Sequence, residues 1–343
     1  MTHIRQLIRS GELPAHTRLP PIRLLRQLWS TGYFTVQAAL SRLSQEGLIV
    51  QSTSKGSFVA PTRRSLRSVC LYHQGELDTH REEEFYIRLG MCLYGVLSKR
   101  SIMTRTFFDP RPLDQQNKPP LELRNMVKDG EIDAIIATTI PRRKGHWLSK
   151  LGVPFAPFMK DSSRSVSIDF EQMAALVVEK AVRENRRVIG LIHTPAPEEK
   201  KGGDPDPLLT LVKAHARKNG IRVVCPKKPK GFSLWSWADR GAYACEEILR
   251  SKVSVDSLFC FPDPYIHSVT KTLLKHKVSV PDSLLLMSHR NSESALWPPL
   301  PVTWLVVKIE DFALGWVKQI EQQIEGTPVE PVMIPVCLED ASN

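Results

Sequence analysis

From residue 68 onward the sequence alternates short apolar runs with longer amphipathic stretches, and this alternation constrains the fold more than any other feature. An apolar run too short for a helix, then a helical period, then another run is the pattern of βα units in parallel sheets, an α/β architecture. The runs predict strands at Ser68–Tyr72, Ile102–Phe107, Ala134–Ala137, Val188–Ile192, Ile221–Val224, Ser257–Phe261 and Leu284–Met287. Helices are predicted at Glu83–Lys99, Leu121–Asp129, Glu171–Asn185, Leu208–Asn219, Trp237–Leu249, Tyr265–His276 and Glu310–Ile324. Loops at 109–120, 195–207 and 226–230 are rich in Pro, Lys or Asp. The spacing predicts two lobes, near 68–165 and 170–300, with the segment after Pro301 crossing back between them.

The first 67 residues differ in composition. They hold ten Lys/Arg against two acids, Glu12 and Glu46, a net charge of +8 out of +11 for the 343-residue chain. A field concentrated on so short a segment is the footprint of a polyanion partner. Charge alone fits DNA, RNA or an anionic membrane surface equally well, so the residue pattern must decide.

Ile4, Leu7 and Ile8 share one face of a short helix that stops at Gly11. Leu19-Pro20-Pro21 opens a second helix, because proline suits a first turn whose N–H groups lack partners anyway. Ile22, Leu25 and Leu28 recur there at helical spacing, and Thr31-Gly32 breaks the run with a short turn. A third helix runs from Tyr33 or Phe34 to Gln45, with Val36, Ala39, Leu40 and Leu43 toward the core and Gly47 as its C-terminal stop. Its other face carries Thr35, Gln37, Ala38, Ser41 and Arg42, with no acid before Glu46. Such a face suits a major groove, where Gln reads adenine and Arg reads guanine or phosphate. Strands at 48–50 and 57–59 with a turn at 52–56 form a β-hairpin wing. Its tip brings Lys55 beside Gly56, where a backbone can approach a phosphate closely.

These residues resemble a known family. Leu19-Pro20-x-x-Arg23-x-Leu25, Thr35-Val36-Gln37-x-Ala39-Leu40-x-x-Leu43-x-x-Glu46-Gly47-Leu48 and Gly56-Ser57-Phe58-Val59 follow, in order, the pattern of the GntR-type winged helix-turn-helix. The resemblance implies DNA contacts at Arg23, Tyr33, Gln37 and Gly56. Gly32-Tyr33 stands where the family usually has Ser-Arg, and Gln37 where it often has Arg.

The larger region resembles the effector domain shared by LacI-type regulators and periplasmic sugar-binding proteins. The resemblance rests on Ile132-Asp133-Ala134-Ile135-Ile136, Val166-Ser167-Ile168-Asp169, Arg187-Val188-Ile189-Gly190, Asp256-Ser257-Leu258-Phe259, Asp263, Val280-Pro281-Asp282 and Leu300-Pro301-Val302-Thr303. It implies a ligand held between the lobes by the loop 73–84, Asp169, Asp263 and Arg290. Sugar-binding relatives typically place an Asp where Arg290 stands. A carboxylate accepts paired sugar hydroxyls, whereas a guanidinium only donates and favours an anion.

The expected organisation is a DNA-binding domain at 1–60, a basic linker at 61–67, and a two-lobed effector-binding and dimerisation domain at 68–343. The expected function is a DNA-operator-binding transcription regulator, repression being the commoner mode in the family. It would work as a homodimer controlled by a small-molecule effector, either a sugar or an anionic metabolite. Two alternatives stand beside it: a back domain that has lost its ligand and only dimerises, and an enzyme fused to a winged helix. No G-x-S-x-G, H-E-x-x-H, Walker A or G-x-G-x-x-G motif is present, so no catalytic residue or cofactor is implied. The six cysteines are scattered without C-x-x-C or zinc spacing, which predicts reduced thiols and no metal. No run approaches the ~18 apolar residues of a membrane span, and Met1–Gly11 lacks an apolar signal core, so a cytoplasmic location is expected. Trp235 and Trp237 fit either a ligand cleft or ordinary packing.

Overall fold

The computed structural model describes residues 4–5, 7–8, 12–14, 16–46, 48–52, 56–60, 66–74, 83–112, 115–138, 145–158, 163–193, 207–232, 235–292, 294 and 296–340. The chain divides into two compact units, Met1–Leu66 with Glu321–Pro328, and Arg67–Ile320 with Val329–Asn343.

In the small unit, helix α1 (Ile22–Leu28) starts at Pro21, and α2 (Tyr33–Gln45) follows after a four-residue turn. Strands β1 (Ile49–Ser52) and β2 (Gly56–Val59) form an antiparallel hairpin in which Ile49 faces Val59 and Ser52 faces Gly56. Residues 17–19 add a third extended segment. The Leu19 amide donates to the Ser57 carbonyl and the Val59 amide to the Thr17 carbonyl, each at 2.8 Å. Ile4, Ile8, Leu19, Leu25, Val36, Leu40, Leu43, Ile49 and Val59 make one buried core. The α1 and α2 members of this core are positions that helical periodicity selects, with Leu28 instead exposed at the end of α1. Gly11, Gly47 and the 61–65 part of the linker lie outside the described residues.

The large unit is built on two parallel sheets. The first, in order β4-β3-β5-β6, comprises β3 (Ser68–Gln74), β4 (Met103–Asp109), β5 (Ala134–Ala137) and β6 (Phe155–Pro157). The helices α3 (Glu83–Ser98) and α4 (Leu121–Lys128) connect its strands. The second, in order β14-β12-β11-β10-β8-β9, is parallel except for β14, which runs against β12. It contains β8 (Val188–His193), β9 (Arg222–Val224), β10 (Ser257–Phe261), β11 (Leu285–Asn291), β12 (Thr303–Val307) and β14 (Cys337–Glu339). Around it lie α5 (Phe170–Arg183), α6 (Pro207–Lys218), α7 (Trp237–Leu249), α8 (Ile266–Lys275) and α9 (Ile309–Glu325). A separate parallel pair joins β7 (Val166–Ile168) to β13 (Val332–Ile334).

Every strand and helix predicted from residue 68 onward is present within a few residues. The segment after Pro301 does more than cross back, however. It adds β12 and β14 to the second sheet, and in between α9 places Phe312 against Phe85 of α3, with ring centroids 6.1 Å apart. A Cβ on Gly315 would stand 3.1 Å from Val166 and from Val332, so glycine lets α9 lie directly on the β7–β13 pair.

One device recurs in both sheets. The Asp133 carboxylate, just ahead of β5, accepts from the amides of Arg67 and Ser68 at 2.9 and 3.0 Å, while its own amide donates to the Ser68 carbonyl. Asp256, just ahead of β10, does the same to Arg187 and Val188 at 2.7 and 2.9 Å, and its amide donates to the Val188 carbonyl. Hydrogen bonds to an ionised acceptor contribute more than neutral ones, about 1.5–3 kcal/mol each. Asp256→Ala is therefore expected to lower the stability of the large unit by roughly 2–4 kcal/mol in urea unfolding followed by circular dichroism, with Asp256→Asn losing less. An unchanged midpoint for the alanine variant would remove this carboxylate from the account of strand register.

Candidate functional site

Helix α2 buries Val36, Leu40 and Leu43 at 1% exposure, and this stripe determines what the other face offers. Tyr33, Thr35, Gln37, Ala38, Ser41 and Arg42 are all exposed, as is Arg23 on α1. Ala39 is half-buried. Arg42 approaches Glu46 at 3.7 Å but stays 69% exposed. Glu46, the acid at the end of this helix, is held instead by Arg5 through paired bonds of 2.9 and 2.7 Å. The face of α2 thus presents no free carboxylate between Tyr33 and Gln45.

Gly56 opens β2 at φ +95°, in the left-handed region that side-chain-bearing residues rarely adopt. The Arg18 guanidinium lies 3.6 Å from where a Cβ on Gly56 would stand, and over the Phe58 ring at 6.0 Å. The wing start therefore carries a cation supplied by Arg18, which sequence reasoning did not single out; Lys55 lies outside the described residues. The other residue it missed on this unit is Phe34. At 83% exposure it is among the most exposed large apolar side chains of the described residues.

In the large unit, the three sequence-predicted residues sit near the carboxyl ends of the strands, where open α/β sheets bind ligands. Asp169 caps α5, its side chain accepting from the Gln172 amide at 2.9 Å. The next residue, Phe170, packs edge-on to Phe261 at the end of β10, with centroids 5.5 Å apart. Asp263 follows Phe261 by two residues and places a carboxylate oxygen 4.0 Å from Nδ1 of His289 on β11. The structure thus brings Asp263 together with His289 beside the Asp169–Phe170 corner. Arg290 goes elsewhere. Successive side chains of a strand point to opposite faces; Arg290 lies over Trp304 at 5.1 Å and pairs with Glu339 of β14.

His289 is buried, and neither ring nitrogen has a hydrogen-bond partner among the described residues. Burial pushes its pKa down to about 3, so the imidazole is neutral at physiological pH. Nearby, His193 ends β8 in register with Phe261, and its Nε2 lies 3.3 Å from the Lys228 ammonium. No signal in local periodicity marks either histidine. On the first sheet, His73, the penultimate residue of β3, has Nδ1 2.7 Å from the Thr138 hydroxyl and its ring stacked on Phe108 at 5.1 Å. Burial lowers its pKa as well. Residues 75–82 of the predicted ligand loop lie outside the described residues. Asp109 is fully buried at the end of β4; burial favours its neutral form, but Arg111 and the Tyr72 hydroxyl hold it below the usual carboxylate range. Trp235 packs on Phe232 and Tyr243, and Trp237 on Tyr265, so both serve packing. Among the described residues no three His, Cys, Asp or Glu side chains converge as a metal site would need, and no helix is long and apolar enough to cross a membrane.

Comparison with known proteins agrees with both halves. Residues 1–59 match the model for bacterial regulatory proteins of the gntR family. No curated protein matches the sequence. Among solved structures, a LacI family transcription regulator from Clostridium acetobutylicum superposes with a TM-score of 0.62 at 18% identity, covering 80% of this chain and 100% of its own. The transcriptional regulator CelR in complex with cellobiose gives 0.60 at 15% identity over 94% of this chain and 99% of its own. The transcription regulator GntR from Chromobacterium violaceum gives 0.59 at 16% identity over 80% and 98%. The chain therefore carries a gntR-family winged helix-turn-helix at residues 1–59, joined to a domain with the two-lobed fold of LacI-family regulators.

Proposed function

We propose that this chain is a ligand-responsive transcription regulator that binds operator DNA as a homodimer. The observation that carries the reading is the carboxylate-free outer face of α2, set opposite a fully buried stripe near the start of a chain whose first 67 residues net +8. A major groove admits one helix, and the flanking phosphates demand cations. Arg23, Arg42 and the Arg18 beside Gly56 supply the phosphate contacts. Thr35 and Gln37 flank the outward centre of α2 on its two sides, Tyr33 stands at its start, and Lys55 lies next to Gly56 in sequence. Two copies are required because specificity comes from pairing half-sites about one DNA turn apart. The effector sits between the two lobes, where Asp169, Asp263 and the neutral His289 offer acceptors to hydroxyl groups. Because Glu339 already neutralises Arg290, a sugar is favoured over an anionic metabolite, as in the cellobiose-bound CelR. Closure of the lobes on the effector shifts the dimer between DNA-competent and incompetent populations.

Fluorescence anisotropy of the full chain on duplexes selected from a random pool tests this reading. Specific binding should weaken steeply with salt. Arg23→Ala should weaken binding to every sequence alike and flatten the slope of log K against log salt by about 1. Equal affinity of the chain for selected and random duplex would overturn it.

Calorimetric titration with cellobiose and with gluconate tests the effector. The neutral sugar should bind and Asp263→Asn should weaken it at least tenfold, about 1.4 kcal/mol; binding of gluconate alone would reverse the ligand assignment.

The His289 environment also sets a pH dependence. Below about 6.5 the unfolded chain takes up a proton on this imidazole, while the folded protein refuses it until pH falls to about 3. Stability is thus full above that window and declines on acidification through it, by at most about 1.4 kcal/mol per pH unit. His289→Leu should show a shallower acid slope in urea midpoints between pH 7 and 4. An identical slope would mean the imidazole is not held neutral.

A further inference from the structure

We infer that Phe34 is a specificity residue that reads the C5-methyl group of thymine, so that each operator half-site carries a thymine under the start of α2. The inference rests on the proposed insertion of α2 into a major groove and adds which base group it recognises. Phe34, Ala38, Ser41 and Gln45 recur at helical spacing, and their mean direction lies opposite Val36, Leu40 and Leu43. They form the centre of the outward face, whereas Thr35 and Arg42 lie on its shoulder. All four are exposed, and Phe34 is 83% exposed. The face that would meet base edges therefore begins with a phenyl ring, continues with a methyl group one turn later, and bears no charge along its centre.

Position and chemistry narrow the occupant. Phe34 is the second residue of α2, and the N-terminal turns of a recognition helix are the part that reaches base edges. The Tyr33 ring meets it edge-on, with centroids 5.7 Å apart at 89°, which limits the directions the phenyl group can take. A phenyl ring neither donates nor accepts hydrogen bonds. Of the groups that base pairs display in the major groove, only the thymine methyl is apolar. The surroundings match a polyanion: Arg23, Arg26 and Arg42 are exposed, and the helix presents no carboxylate before Glu46. An apolar protein partner would gain nothing from these exposed cations, whereas the phosphates of a duplex would.

The test uses the full-length protein and duplexes it retains from a random pool. Each thymine of the selected half-site is replaced in turn by uracil, which pairs identically but lacks the methyl group. At one or two positions the change should weaken wild-type binding about fourfold, the ~0.8 kcal/mol of one buried methyl. Phe34→Ala should bind the thymine and uracil duplexes equally, and Phe34→Leu, which keeps apolar bulk, should retain most of the difference. Because Phe34 is exposed, neither variant should alter the unfolding midpoint. Selection of half-sites indifferent to uracil, or a thymine preference that survives in Phe34→Ala, would overturn the inference while leaving DNA binding intact. Failure to enrich any sequence would overturn it together with the regulator reading. Loss of self-association in Phe34→Ala with unchanged DNA affinity would assign the face to a second copy of the chain and overturn it too.

Discussion

Two carboxylates set the level at which everything else in the large unit is built. Asp133 and Asp256 each hold the first amides of a neighbouring parallel strand and return a backbone bond to the same strand. A parallel pair has evenly spaced bonds, and β5 and β10, buried on both faces along nearly their whole length, have little inward–outward alternation to fix their register. An ionised acceptor bridging two consecutive amides fixes it instead, because a slip by one residue would strand both donors and turn every side chain to the other face. With the register set, the carboxyl ends follow. His73 and Thr138 meet at the end of one sheet, and His193, Phe261 and His289 at the end of the other.

The small unit depends on a different constraint, a core with few residues to spare. Three positions of α2 at 1% exposure lock its rotation about its own axis, so the outward face is decided by what must be inward. The pairing of Arg5 with Glu46 belongs to the same logic. A carboxylate at the end of α2 would repel a phosphate, and Arg5 neutralises it through two short bonds. Both groups are partly solvated, so the pair adds little stability, and its effect is on the field around the helix.

Much of this was legible in the sequence, and the remainder failed for identifiable reasons. The strands Ala134–Ala137 and Ser257–Phe261 and the helix Trp237–Leu249 fall where the apolar pattern puts them, because each buries a continuous run or stripe. Strands β6, β7, β13 and β14 have only three residues each, too few for any period to show. β12 is apolar after Thr303 but follows a proline cluster that reads as loop. On the small unit, Phe34 was passed over because an aromatic at a helix start resembles a core residue, and only its 83% exposure separates the two cases. Arg290 shows what a local reading leaves out. Its charge invites an anion, yet Glu339, 49 residues away in sequence, already pairs with it across the sheet edge. Asp263 was legible as a polar residue after a strand, but its neighbour His289 was not, because their approach depends on two strands meeting through a third dimension that local spacing does not record.

These features separate affinity from selectivity. Cations at Arg23, Arg42 and Arg18 would act on phosphates whatever the sequence beneath them, and their contribution falls as salt screens the duplex. The centre of the α2 face is neutral, so its contribution to choosing between sequences is nearly independent of salt. An arginine at the first turn would have served both roles at once, binding guanine and raising non-specific attraction. With Tyr33 and Phe34 in that place the second effect would be absent, and the inferred discrimination would rest on shape and methyl contacts worth less per base than a bidentate arginine. In the proposed homodimer both half-sites would have to be engaged to reach useful selectivity, since a small gain per base would be multiplied across the two copies. That places control where an effector domain can exercise it. Under the proposed dimeric arrangement, altering the spacing of two weakly discriminating heads would abolish operator choice, whereas heads that each bound tightly alone would tolerate the change.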